Sequence, residues 1–138
     1  MNNQFAGRWT YRSFHNLPDM AAPPDALKFA VGRWDLADAA FGTIKGRLSF
    51  GDDYLVLNGS CYFGNPFSLR MQGIGGTPDT KGWIYDYQGF LVPAWPNGVD
   101  QVPAIVGTLV RTVRHEPNRP AGYVASFIAV WAPDLPPL

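Results

Sequence analysis

The chain has 138 residues with no formal net charge; 16% of its residues are charged and 14% are aromatic. This length suits a single domain, and the absence of a basic cluster argues against nucleic-acid binding, whose affinity comes largely from phosphate neutralisation. Glu and Lys, which fill exposed helix faces, are scarce, whereas Val, Tyr, Phe and Trp are frequent, so the composition favours an all-β fold.

No apolar run is long enough for a membrane-spanning helix, and the N-terminal residues 1–5 lack the charged and apolar regions of a signal peptide. Cys61 is the only cysteine, so no intrachain disulfide can form. A cytoplasmic location is therefore expected. Residues 1–132 are predicted to form one barrel domain, and the proline-rich residues 133–138 a loosely held tail.

Eight segments have the residue types and the alternation of β-strands. A loop rich in proline is predicted at 16–24, where Leu17-Pro18-Asp19 and Pro23-Pro24 interrupt the alternation. The predicted strands are 5–13, 27–36, 43–50, the run that follows Asp52, 67–74, 82–91, 104–114 and 121–131.

The clearest local pattern surrounds Gly51 and Asp52, which lie between two alternating runs at the spacing of a two-residue hairpin turn. This register pairs Leu48 with Leu55, and Gly46 with Leu57. One face of the hairpin is almost wholly apolar and is predicted to face the interior: Ile44, Gly46, Leu48, Phe50, Leu55, Leu57, Gly59 and Cys61.

The strand after Gly64-Asn65-Pro66 takes its orientation from the length of that turn. A turn of two residues would direct Ser68, Arg70 and Gln72 inward, and a slip of one residue would reverse every side chain. The outward side chains would then form an apolar patch, which predicts a homo-oligomer, expected to be a dimer. That patch contains Phe67, Leu69 and Met71 beside Tyr54, Val56 and Tyr62.

About eight strands at hairpin-like spacing predict a closed antiparallel up-and-down β-barrel, a fold that can hold one small ligand. An immunoglobulin-like sandwich is the alternative, but the Cys–Trp–Cys spacing of that fold is absent.

The segment Gly7-Arg8-Trp9 resembles the Gly-x-Trp start of calycin barrels, the group that includes lipocalins and avidins, and the glycine-rich meander that follows is similar in order and length. In lipocalins the tryptophan closes the barrel floor beneath an arginine from near the end of the chain. The resemblance implies these roles for Trp9 and Arg111. Avidins hold biotin with an asparagine and a serine, where this chain has Tyr11 and His15, so biotin binding is not implied.

No catalytic signature of known spacing occurs, and with two histidines and one cysteine neither a metal site nor a cofactor is predicted. Arg70 and Asp86 lie in strands that are expected to be neighbours. If both point inward, they form either a structural ion pair or a polar anchor that orients a ligand.

Trp95 lies between Pro93 and Pro96, which restrict the backbone strongly. The indole either caps the core at a hairpin end or forms the rim of a small-molecule pocket bounded by residues 92–102. The pocket interpretation predicts five ligand-binding residues: Tyr11, Arg70, Asp86, Tyr87 and Trp95.

Three functions remain open from the sequence. The first is a barrel that binds a small, mostly apolar molecule. The second is a barrel enzyme of lyase, cyclase or isomerase type, whose acid–base group would be Asp86, Tyr85, Tyr87 or a histidine. The third is a structural, oligomeric module without a ligand.

Overall fold

In the computed structural model, which describes residues 3–17 and 19–138, eight antiparallel strands form one closed barrel. The expectations for Met1, Asn2 and Pro18 lie outside the described residues. Each strand pairs with its neighbours in the chain, and β1 pairs with β8 to close the barrel. The strands are β1 (Gly7–His15), β2 (Lys28–Asp38), β3 (Thr43–Phe50), β4 (Asp53–Tyr62), β5 (Ser68–Gly75), β6 (Ile84–Val92), β7 (Ala104–Arg111) and β8 (Val124–Trp131).

The predicted all-β, up-and-down barrel is therefore confirmed. Within the described residues the helical elements are three short 3₁₀ helices, Pro24–Leu27, Ala40–Gly42 and Pro78–Thr80. None of the helices described is long and apolar enough to cross a bilayer.

The alternating strand directions give the barrel two distinct ends. The connections β1–β2, β3–β4, β5–β6 and β7–β8 lie at one end, which we call the Arg111 end. The N-terminal segment, the remaining connections and the C-terminal residues lie at the other, which we call the Trp9 end.

The hairpin of β3 and β4 has the predicted register, since Phe50 pairs with Asp53 across the Gly51–Asp52 turn. Leu48 pairs with Leu55 and both side chains are buried. A two-residue turn leaves no freedom in the pairing, so the alternation along the two strands decides which face is buried.

The predicted orientation of β5 is wrong by one residue. Tyr62 pairs with Ser68, so residues 63–67 form the connection and the side chains of the strand are reversed. Leu69 and Met71 are buried in the barrel, whereas Arg70 and Gln72 are exposed. This register buries two large apolar side chains and avoids the cost of an enclosed guanidinium.

The outward apolar patch of Phe67, Leu69 and Met71 is consequently not formed. Tyr62 and Val56 are exposed on the outer face of β4, but of the outward side chains of β5 beside them only Ile74, which pairs with Val56, is apolar. The homodimer remains a prediction, but this patch no longer supports it.

The β7–β8 hairpin is shorter than predicted, since its strands end at Arg111 and resume at Val124. The Gly122 amide donates to the Arg111 carbonyl at 2.6 Å and so closes the connection. Pro117 and Pro120 lie between these residues and have no amide hydrogen to donate to a ladder.

Trp9 is fully buried at its end of the barrel, as predicted. Its Nε1 donates to the Phe5 carbonyl at 3.0 Å, and its ring meets Trp131 edge to face at 5.1 Å. The role that the resemblance implied for Arg111 is wrong. Strand β7 runs from the Trp9 end to the opposite end, so Arg111, its last residue, lies far along the barrel from Trp9.

Candidate functional site

The barrel is not filled by its own side chains at the Arg111 end, where a cavity of about 250 Å³ opens. A more open cleft of about 510 Å³ adjoins the cavity and shares Phe29 and Arg119 with it. Pockets for small molecules range over roughly 300–1,000 Å³. Cavity and cleft together therefore have the size of a small-molecule site.

The cavity walls are almost entirely apolar and aromatic, since of the lining side chains only Arg119 is charged. They consist of Tyr11, Phe29, Ala30, Val31, Leu48, Phe50, Leu55, Trp83, Tyr85, Tyr87 and Arg119. The cleft is more polar and is lined by His15, Phe29, Arg111, Asn118, Arg119, Pro120 and Tyr123.

The aromatic wall follows from the alternation of β6, in which Tyr85 and Tyr87 point inward. Tyr11, from β1, meets the Tyr87 ring edge to face at a centroid distance of 6.2 Å. It also stacks on Trp34 at 5.4 Å. The structure thus brings together two of the five predicted ligand-binding residues, Tyr11 and Tyr87, in the cavity.

The tyrosine hydroxyls in this wall are neutral. Burial raises the pKa of Tyr11 and raises that of Tyr87 well above its ordinary value. Burial also raises the pKa of Tyr85, although the nearby Arg111 opposes this shift. Because burial disfavours the charged form, these phenols keep their protons at neutral pH and remain able to donate hydrogen bonds.

Arg111 is a buried charge on the interior face of β7, where it continues the alternation of Ile105 and Leu109. Its Nε donates to the Tyr85 hydroxyl at 3.2 Å, and its Nη1 donates to the Pro120 carbonyl at 3.3 Å. Both acceptors are neutral.

Aromatic rings surround the Arg111 guanidinium as well. Its carbon lies 5.2 Å from the ring centre of Tyr123, 5.7 Å from that of Phe29 and 5.8 Å from that of Tyr85. These contacts are close enough for attraction between a cation and the ring faces.

The Arg111 end carries positive charge that the protein does not neutralise. The ion pairs found in the described residues do not include Arg111, and no acidic side chain lines the cavity or the cleft. Arg119, at the rim, differs in that its Nε lies 3.7 Å from a Glu116 carboxylate oxygen.

Two histidines lie beside the site. His115 stacks on Trp83 at a centroid distance of 4.3 Å. Burial, and then the charges of Arg111 and Arg119, lower the pKa of His115, so its ring is neutral at pH 7. His15 lies across the cleft, where its Nδ1 is hydrogen-bonded to the Tyr123 hydroxyl.

Ser13 Oγ and Trp34 Nε1 are buried and have no hydrogen-bond partner among the described residues. Ser13 lies on β1 between Tyr11, in the cavity wall, and His15, in the wall of the cleft. Neither residue lines the cavity or the cleft, so these two atoms lie behind the walls of the site rather than on its surface.

Arg70 does not lie in the interior, so its predicted inward orientation is wrong, and Asp86 also lies on the outer face. Asp86 pairs with Gln72 on the outer face, and Arg70 pairs with Gln88 on the same face. In the described part of the chain, no ion pair joins Arg70 to Asp86. The correction for Arg70 follows from the register of β5, and Asp86 points outward because its neighbours Tyr85 and Tyr87 point inward.

Trp95 is 67% exposed in the connection between β6 and β7, so it does not cap the core. It lies at the Trp9 end, opposite the aromatic cavity. There it borders a groove of about 390 Å³ together with Phe67, Leu91 and Pro93. Contact between Trp95 and a ligand remains a prediction.

The residues that sequence reasoning missed are mainly Phe29, Trp83, Arg111 and Tyr123. The sequence did indicate Arg111, because it lies at an even spacing from Ile105 and Leu109 in β7 and so shares their face of the strand. A charge at an interior position of an apolar strand face indicates either an ion pair or a ligand site. Phe29 and Tyr123 carried no such signal, because Phe29 lies at the start of β2 and Tyr123 just before β8, where the sequence shows no regular alternation.

Within residues 3–17 and 19–138, no group of three or more His, Cys, Asp or Glu side chains is arranged to hold a metal ion. Comparison of the chain with protein-family models, curated proteins and solved structures finds no match. The functional assignment therefore depends on the geometry of the barrel itself.

Proposed function

We propose that this chain is a calycin-like binding barrel that holds a small, mostly apolar molecule in the aromatic cavity at the Arg111 end. The observation that supports this proposal is an open cavity of about 250 Å³, walled by aromatic side chains, inside an otherwise packed barrel. The lone Cys61, which needs no oxidising compartment, is in keeping with a cytoplasmic location.

The barrel supplies such a site at low entropic cost. Tyr11, Tyr85 and Tyr87 project from hydrogen-bonded strands and pack against one another, so few side-chain rotations are lost when a ligand enters. Each Å² of apolar ligand surface removed from water contributes roughly 25 cal/mol. A planar apolar molecule would gain most from these walls.

The test uses a neutral naphthylamine dye whose emission increases in apolar surroundings. We expect the parent to bind one dye molecule, and expect Ala30→Phe, which fills the cavity, to weaken binding at least about tenfold, or about 1.4 kcal/mol. Ala37→Phe places the same side chain on the exposed outer face of the same strand, β2, and serves as the matched control.

Equal dye binding by the parent and Ala30→Phe would show that the dye does not occupy the cavity. Parent protein without any binding would contradict the proposed function. Circular dichroism of both variants would establish that a loss of binding is not a loss of folding.

A barrel enzyme is the second candidate, and the hydrogen bond between His15 and Tyr123 in the cleft favours it. A paired imidazole and phenol beside the aromatic cavity are able to move a proton to or from a bound substrate. Catalysis would give a pH-dependent rate that is lost in both His15→Gln and Tyr123→Phe. A binding protein would show only changed affinity in these variants.

A further inference from the structure

We propose that the molecule bound at the Arg111 end is a carboxylic acid with a flat apolar body, whose carboxylate pairs with Arg111. This inference rests on the proposed function, because it assumes that the cavity takes the apolar body. It adds the charge and the orientation of the ligand.

The first step of the argument is the burial of Arg111. The residue is 4% exposed, yet both of its hydrogen-bond acceptors, the Tyr85 hydroxyl and the Pro120 carbonyl, are neutral. A guanidinium taken out of water is costly unless an opposite charge and further hydrogen bonds compensate it. No described acidic residue supplies that charge.

The second step is the hydrogen-bonding capacity that Arg111 retains. Its protein bonds use Nε and Nη1, and no described residue accepts from Nη2. Guanidinium groups bind carboxylates through two parallel N–H donors, and such charge-assisted bonds are roughly twice as strong as neutral ones. The Tyr85 hydroxyl, kept protonated by burial, is a further donor at the same place.

The third step is the position of Arg111 relative to the apolar walls. It lines the cleft, while Phe29, which lies under its guanidinium, lines both the cleft and the cavity. A ligand with its carboxylate at Arg111 would therefore extend its body past Phe29 towards Tyr11 and Tyr87. The polar and apolar parts of the site are arranged in the same order as those of an amphipathic acid.

The amount of free charge favours a monoanion. Arg111 has no carboxylate partner, whereas Arg119 is paired with Glu116, so one positive charge is left to be neutralised. A phosphate with two negative charges would leave one of them buried without compensation. The apolar cavity walls also offer such a group few donors.

The experiment compares naphthalene-2-carboxylate with naphthalene-2-carboxamide, two bodies of similar shape that differ in charge, by calorimetry at pH 7.5. We expect the parent to prefer the carboxylate by about tenfold or more, since hydrogen bonds to charged groups are the stronger kind. Arg111→Met should lose this preference and still bind the carboxamide. Arg12→Met, on the exposed outer face of β1, should behave as the parent.

Equal affinity of the parent for both compounds, or a preference retained in Arg111→Met, would overturn the inference. Parent that binds the neutral naphthylamine dye but neither naphthalene compound would overturn it as well, while leaving the proposed function standing. Absence of dye binding would contradict the proposed function itself.

Arg111→Met removes the buried charge together with its hydrogen bonds to Tyr85 and Pro120. Its folding is therefore checked by circular dichroism. If it does not fold, Arg111→Lys replaces it. That variant keeps the charge but loses the planar fork, so a preference present in the parent and reduced in Arg111→Lys supports the inference. A parent without preference overturns it whatever the variants do.

Discussion

Trp9 and Trp95 are two tryptophans in opposite environments, one fully buried and one 67% exposed. We expect Trp9→Ala to lower the free energy of unfolding by about 3–5 kcal/mol, because it empties a packed site and removes the bond to the Phe5 carbonyl. Trp95→Ala is the matched control and should change it by less than about 0.5 kcal/mol. Urea unfolding measures both, and similar effects of the two substitutions would show that Trp9 does not close the barrel.

His115 should make the stability of the barrel depend on pH. Burial, Arg111 and Arg119 lower its pKa in the folded state, with Glu116 opposing them. The unfolded chain therefore binds the proton more readily, and the free energy of unfolding is greatest above the ordinary pKa of about 6.5. It should fall as the pH drops from that value to the lower folded pKa.

The measurement is the urea midpoint at pH values from 7.5 to 5, for the parent and for His115→Phe. The phenylalanine keeps the flat contact with Trp83 but does not titrate, so the decline in stability should be smaller in the variant. Identical pH profiles for the two proteins would contradict the assignment to His115.

At the scale of single elements, glycines allow the strands to curve closely around the barrel. A methyl group at Gly46 in β3 would collide with the Asp35 carbonyl of the neighbouring strand, β2. We expect Gly46→Ala to destabilise by about 1–3 kcal/mol, as other overpacked sites do. Gly64→Ala is the control, because a methyl group there meets no atom within 4 Å. Thermal unfolding that ranks the two variants equally would contradict this account of the curvature.

Hairpin length determined which elements could be predicted from the sequence. The β3–β4 register was predictable because Gly51-Asp52 fits a two-residue turn and the flanking alternation is regular. The β4–β5 register could not be predicted, because residues 63–67 form a longer connection. The sequence does not specify whether that connection has an odd or an even number of residues, which decides the face of every side chain in β5. This slip of one residue moved Arg70 from the expected interior to the outer face.

At the scale of the whole molecule, composition and strand count were enough to predict a closed barrel, but not which end holds the cavity. The Trp9 end is filled by Phe5, Trp9 and Trp131, which come from the two ends of the chain. The Arg111 end is left open. The fold depends on repeated local patterns, whereas the site depends on side chains brought together by barrel closure, as Arg111 and Phe29 are.

The oligomeric state is the remaining whole-molecule prediction. With Leu69 and Met71 inside the barrel, the strongest remaining reason for a homodimer is the Trp9 end, where Phe63, Trp95 and Val99 are exposed in connections. A two-fold contact through this end would remove apolar surface from water in both copies.

Sedimentation equilibrium from low to high micromolar concentration measures the mass directly. We expect the parent to approach twice the 15.2 kDa of one chain, and Trp95→Asp to remain a monomer, because a carboxylate would have to be buried in the contact. Met20→Asp, which changes an equally apolar and fully exposed side chain at the Arg111 end, should still dimerise.

A parent that sediments as a single chain at every concentration would rule out the dimer. Dimerisation of Trp95→Asp would instead place the contact on another surface, such as the outer face of β4, where Val56 and Tyr62 are exposed.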